Sequence, residues 1–270
     1  MAMLIKSFLK RLICTGGPIL IAIIVCSCFH SAGQKEIKYK KYVGPNRVLV
    51  LLLPTIKGKG FHYEKHGFGE AVRERGFEAD LKILDINPIL YLQGRIVDVV
   101  KKEIIDPAIA SGYEKILLVG ISLGGHGALL YVTKAPQNID GVVIIAPFLG
   151  GFFINDVIKS AGGLSRWEEC PPFEWDYACN MWKLIKDYLS MPRNQNKIIL
   201  GYGLEDDFAE SNQLLASQLP ASNVFQVSGG HDWITWKNIW SKVLDYYRVA
   251  CSERGSTSCH IEVMNVNQDR

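Results

Sequence analysis

The chain has 270 residues, 48% hydrophobic and 21% charged, the balance of a globular protein able to bury one catalytic-sized core. Its formal charge is +3, but Lys6, Lys10 and Arg11 lie in an N-terminal segment without acids, which leaves 30 − 3 = 27 bases against 27 acids elsewhere. A body so nearly neutral argues against nucleic acid as a partner.

Residues 1–27 have a basic start, an apolar stretch from about Pro18 to Val25 and then small residues, the layout of a secretory signal. The stretch is too short for a comfortable membrane span. Val25-Cys26-Ser27-Cys28 resembles the end of a bacterial lipoprotein signal, in which cleavage precedes a cysteine that then carries acyl chains. The resemblance implies lipidation of Cys28, an exported protein held on a membrane, and, with Phe29 after the cysteine, outer-membrane sorting in a Gram-negative cell. A plain signal peptide followed by secretion, or an uncleaved anchor helix, are the other readings. Residues 28–46 read as a linker.

"RVLVLLL" at 47–53 is a continuous aliphatic run ended by Pro54, as expected of a strand buried on both faces of a parallel sheet. A helical pattern from about Tyr63 to Arg75, a strand at 77–84 and a helix at 91–110 follow. "KILLVG" at 115–120 and "GVVIIAP" at 141–147 repeat the strand signature on either side of a helix at 124–134. Residues 148–196 break this rhythm with aromatics, glycine and proline, and read as a cap insertion. A strand at 197–203, a helix near 208–218, a strand at 223–227 and a helix at about 233–248 complete one α/β domain over 47–250. Its sheet is mostly parallel and wrapped by helices, with a tail at 251–270.

Setting Cys28 aside, Cys170, Cys179, Cys251 and Cys259 form two close pairs, each spanning a loop that a disulfide could staple at a gain of roughly 2 to 3 kcal/mol. Four cysteines allow three pairings. Neither pair has the spacing or the histidine partners of a zinc site, so no metal is expected.

Gly120-Ile121-Ser122-Leu123-Gly124 matches GxSxG between a buried strand and a helix, the context of a nucleophile elbow. A serine hydroxyl is a poor nucleophile at neutral pH and needs a base that is itself oriented by an acid. "GLEDDFAE" and then "GGHDWITW" follow later strands, so Asp206 or Asp207 and then His231 occur in the required order. "GISLGGHGAL" is similar to the elbow of esterase D-like carboxylesterases, and "GGHDWITW" to the histidine loop of that broad group of α/β-hydrolases. The resemblance covers about residues 47–248 apart from the insertion. It implies a serine hydrolase of carboxylic esters with Ser122 as nucleophile, His231 as general base and then acid, and Asp206 as orienting carboxylate; Asp207 is the neighbour that could replace it. The oxyanion donors would be the amide of Leu123 and that of Thr55 or Ile56, because Pro54 has no N–H where the family commonly has His-Gly.

The expected partner is a small-molecule ester, with no metal or organic cofactor. Lipase, thioesterase, acyltransferase and peptidase activity would use the same three residues, and a surface-anchored binding module would use the scaffold without turnover. His126 reads as structural, and His62 and His66 as a solvated helix face. Trp167, Phe173, Trp175, Tyr177, Trp182 and Tyr188 each read as core of the insertion, and as a group as a lid over the serine.

Overall fold

The computed structural model describes residues 37–42, 47–57, 59–168 and 176–253. Strands β1 (Ile37–Tyr42), β2 (Val48–Leu53), β3 (Asp80–Ile86), β4 (Lys115–Ile121), β5 (Gly141–Ile145), β6 (Ile198–Gly203) and β7 (Val224–Val227) build one sheet in the order β1-β3-β2-β4-β5-β6-β7. Six strands are parallel, and β1 alone runs antiparallel, beside β3. The fold is α/β, as the alternation of aliphatic runs with helical patterns predicts. Ile37–Tyr42 lies inside the stretch read as a linker; "IKYKKY" has no aliphatic run, and a lysine-bearing strand suits a sheet edge.

Successive side chains of a strand point to opposite faces, so a strand with helices on both sides must be apolar throughout. Leu49, Leu51 and Leu53 of β2 enter one apolar cluster, and Val50 and Leu52 enter the other. Ile116 and Leu118 of β4 likewise separate from Leu117, Val119 and Ile121. Each fully buried side chain of this kind contributes about 1.5 to 3 kcal/mol relative to exposure.

The crossovers are more broken than the sequence predicts. The helix expected over 63–75 is two, α1 (Phe61–Lys65) and α2 (Phe68–Glu74), separated at Gly67, whose φ of 71° is left-handed. The helix expected over 91–110 is α3 (Ile89–Leu92), α4 (Ile96–Val100), a π-helical turn (Lys101–Ile105) and α5 (Asp106–Ala110). Pro107 explains the wider turn, since it has no N–H to return to the preceding turn of helix.

α6 (Leu123–Lys134) follows β4 directly. In the insertion lie α7 (Phe152–Ser160), α8 (Asp176–Leu189) and α9 (Pro192–Gln195). Trp167, Trp182 and Tyr188 are buried in the same cluster as the β2 and β4 residues on one face of the sheet, so these three are core. Phe173 and Trp175 lie outside the described residues. α10 (Ala209–Ala216) and α11 (Trp233–Glu253) complete the wrapping, α11 packing Trp240, Val243, Leu244 and Tyr247 into the opposite cluster. Among the described residues no helix is long and apolar enough to cross a membrane.

Candidate active site

The site is built at the C-terminal ends of β2, β4, β6 and β7, where ligands of open α/β sheets bind. β4 ends at Ile121 and α6 starts at Leu123, so Ser122 alone makes the turn, with φ 56° and ψ −115°. A non-glycine residue there stores roughly 1 to 3 kcal/mol of strain. Three backbone bonds over-determine it: Ser122 N–H donates to the Ile145 carbonyl at 2.9 Å, and its own carbonyl accepts from His126 N–H at 3.0 Å and Phe148 N–H at 3.1 Å.

The flanking glycines are steric requirements. A β-carbon on Gly120 would collide with the Gly124 backbone, and one on Gly124 with the Leu53 carbonyl. The same packing sets the end of β2, and hence Pro54 and Thr55, against the elbow. Thr55 is buried, whereas the Ile56 side chain projects into solvent.

His231 Nε2 is 3.0 Å from Ser122 Oγ, and His231 Nδ1 is 2.8 Å from Asp206 Oδ2 and 3.0 Å from Oδ1. Nδ1–H therefore donates to the carboxylate, which leaves Nε2 free of a proton and facing the serine hydroxyl. The Asp206 side chain is fully buried and that of His231 is 17% exposed. Phe208 N–H donates to Asp206 Oδ1 at 2.8 Å and fixes the carboxylate. Asp207, one residue on, is exposed. The two loops that carry acid and imidazole touch through glycine: a β-carbon on Gly203 would strike the Gly229 carbonyl, and Gly229 itself has φ 127°.

Sequence reasoning missed two rings. Phe208 and Trp236 meet the His231 imidazole at 4.9 and 4.8 Å, both nearly perpendicular to it. Such edge contacts restrain the ring. The only available signal was proximity in sequence, Phe208 two residues after Asp206 and Trp236 five after His231.

His126 is buried, and its Nδ1–H donates to the Phe148 carbonyl at 3.0 Å, bracing the turn beneath Ser122. Burial pushes its pKa down to about 4, the hydrogen bond to Phe148 opposing. Between pH 6.5 and 4 the unfolded chain binds a proton here that the native chain does not, so stability falls with pH across that window by about 3 kcal/mol. His126→Gln is expected to flatten the decline in denaturant midpoint from pH 6.5 to 4, and an unchanged slope would contradict the assignment. His62 and His66 are half-exposed, and His66 also stacks on Trp233 at 4.5 Å.

Cys28, Cys170 and Cys259 lie outside the described residues, while Cys179 and Cys251 are buried. Among the described residues no group of three or more His, Cys, Asp or Glu side chains could hold a metal.

A six-stranded parallel array with a serine at the turn after β4 and its imidazole and carboxylate on later loops defines an α/β-hydrolase. The profile of the family described as "Putative esterase" matches residues 89–240, more than half of the chain, and the chain belongs to that family. It is an enzyme of the esterase kind. Solved structures share the fold. A monoacylglycerol lipase of Paleococcus ferrophilus is 20% identical, with TM-score 0.50 over 80% of this chain and 99% of its own. An S-formylglutathione hydrolase of Staphylococcus aureus is 13% identical, with TM-score 0.50 over 76% and 82%. Est1E from Butyrivibrio proteoclasticus, solved with ferulic acid bound, is 12% identical, with TM-score 0.52 over 79% and 94%. No curated protein matches the sequence.

Proposed function

We propose that this protein hydrolyses carboxylic esters through an acyl-enzyme formed on Ser122. The observation that carries the reading is the unbroken hydrogen-bond series from Asp206 through His231 to Ser122, at 2.8 and 3.0 Å. His231 Nε2 takes the hydroxyl proton as Ser122 Oγ attacks the carbonyl carbon. The buried Asp206 carboxylate stabilises the imidazolium that results. The oxyanion forms at the start of α6, where first-turn amides have no helical acceptor, so the Leu123 N–H is available; the Thr55 or Ile56 amide supplies the second donor. His231 then protonates the departing alcohol, and water activated by the same imidazole releases the acid.

p-Nitrophenyl acetate tests the reading. Expected are steady release of acetate and an initial burst of p-nitrophenol of about one equivalent per folded chain. Folded protein with no turnover on a panel of acyl and aryl esters would count against it.

Export and a lipid anchor at Cys28 are part of the same proposal, supported by the basic start, the apolar stretch and the small residues before that cysteine. Cys28→Ser is expected to move the protein from membrane to soluble fractions. Disulfides among Cys170, Cys179, Cys251 and Cys259 fit that compartment.

A further inference from the structure

Beside the site, α1 and the first turn of α11 meet on a face that hydrolysis does not use. Its centre is the indole of Trp233, two residues after His231. The His66 ring lies parallel to it at 4.5 Å, and His62 lies at 5.9 Å and 21°. Tyr63 and Phe68 support the indole edge-on from the core side.

Three exposed lysines lie beside these rings. Lys57 and Lys65 bear on His62, and Lys65 and Lys237 on His66; after burial, which is the larger cause, they hold the imidazoles below their ordinary range. Lys65 stands between His62 and His66 in the sequence, and the Lys237 ammonium reaches Gly67 next to His66, so cations share one small area with the two imidazoles. None of the three makes an ion pair among the described residues. Of the acids on these two segments, Asp232 is engaged with the start of α11, accepting from the Ile234 and Thr235 amides at 2.9 Å each. The other, Glu64, is half-buried.

Apolar side chains project from the same place. Ile234, adjacent to Trp233, is 85% exposed, the most of any large apolar residue described. Phe61, stacked at 4.1 Å on His62, is 55% exposed. Protruding aliphatic and aromatic tips beside exposed lysines match an anionic lipid surface on both counts: the tips enter the acyl boundary, and the lysines meet the headgroups. A soluble anion would satisfy the lysines and leave Ile234 and Phe61 in water.

We propose that this face docks on an anionic phospholipid leaflet, with Trp233 at the headgroup level and the mouth of the neighbouring site turned toward the lipid. The inference is independent of the anchor at Cys28 and of the hydrolytic reading.

The test uses the full chain with vesicles of phosphatidylcholine, with and without phosphatidylglycerol, whose acyl chains carry bromine near the headgroup. Bromine quenches only the indoles that reach the lipid, so the readout locates the docking face whatever else tethers the chain. Tryptophan quenching is expected with the anionic vesicles, and most of it is expected to disappear in Trp233→Phe. Ile234→Ser, a change at an exposed site, and the triple variant Lys57→Glu, Lys65→Glu, Lys237→Glu should each lose it, with p-nitrophenyl acetate turnover as in wild type. Quenching that persists in Trp233→Phe, that is equal with neutral vesicles, or that survives the charge reversal would overturn the proposal. So would its absence from wild type, as expected for a face that binds an acidic protein or a soluble anion. Loss of ester turnover in wild type would count against the hydrolytic reading alone.

Discussion

Ser122→Ala is expected to lower kcat for p-nitrophenyl ester hydrolysis by about 10⁵- to 10⁶-fold while leaving the fold intact. Among the described residues the hydroxyl makes one side-chain hydrogen bond, to His231, and it lies on a turn held by the backbone bonds to Ile145, His126 and Phe148, which alanine keeps. The turn is strained for any residue with a β-carbon, at φ 56° and ψ −115°. Ser122→Gly should therefore be equally inactive and more stable than Ser122→Ala, by about 1 kcal/mol. Thermal melting beside steady-state kinetics reads both effects. Activity within a hundredfold of wild type in either variant would assign the chemistry elsewhere.

Asp206→Asn is the second large effect, a loss of about 10⁴ in kcat. The carboxylate receives the imidazole Nδ1–H through both oxygens and the Phe208 amide through one, with its side chain closed off from solvent. An asparagine amide in its place donates to Nδ1 and so favours the tautomer protonated at Nε2. That imidazole cannot accept the proton of Ser122. Asp207 faces outward, and Asp207→Asn is expected to leave kcat within a few-fold of wild type. The reverse pattern would exchange the roles of the two residues.

Much of this arrangement was legible in the chain because it depends on local chemistry. Continuous aliphatic runs mark β2, β4, β5 and β6, since a strand covered on both faces has no position for a polar side chain. Gly120 and Gly124 mark the elbow because no β-carbon fits at either. The family resemblance places Asp206 ahead of Asp207, and it is Asp206 that His231 contacts.

Features that rest on tertiary contact were not legible. "IKYKKY" pairs with β3 although its own pattern does not announce a strand, because an edge position asks for one partner only. Gly203 looks like an ordinary strand end until Gly229 is packed against it. Phe208 and Trp236 become supports of the imidazole only once their loops converge, and His66 gains its stacking partner only because Trp233 arrives from a distant part of the sequence. Burial of Trp167, Trp182 and Tyr188 follows the same logic: aromatic content tells a core from a lid only when the opposing surface is known.

The most direct measurement is the mass of the folded, full-length protein after exposure to a fluorophosphonate, followed by mapping of the modified peptide. The account predicts one phosphonyl group per chain, carried by Ser122 and gained far more slowly in His231→Ala. Folded wild-type protein that stays unmodified, or that carries the group on another residue, would contradict it.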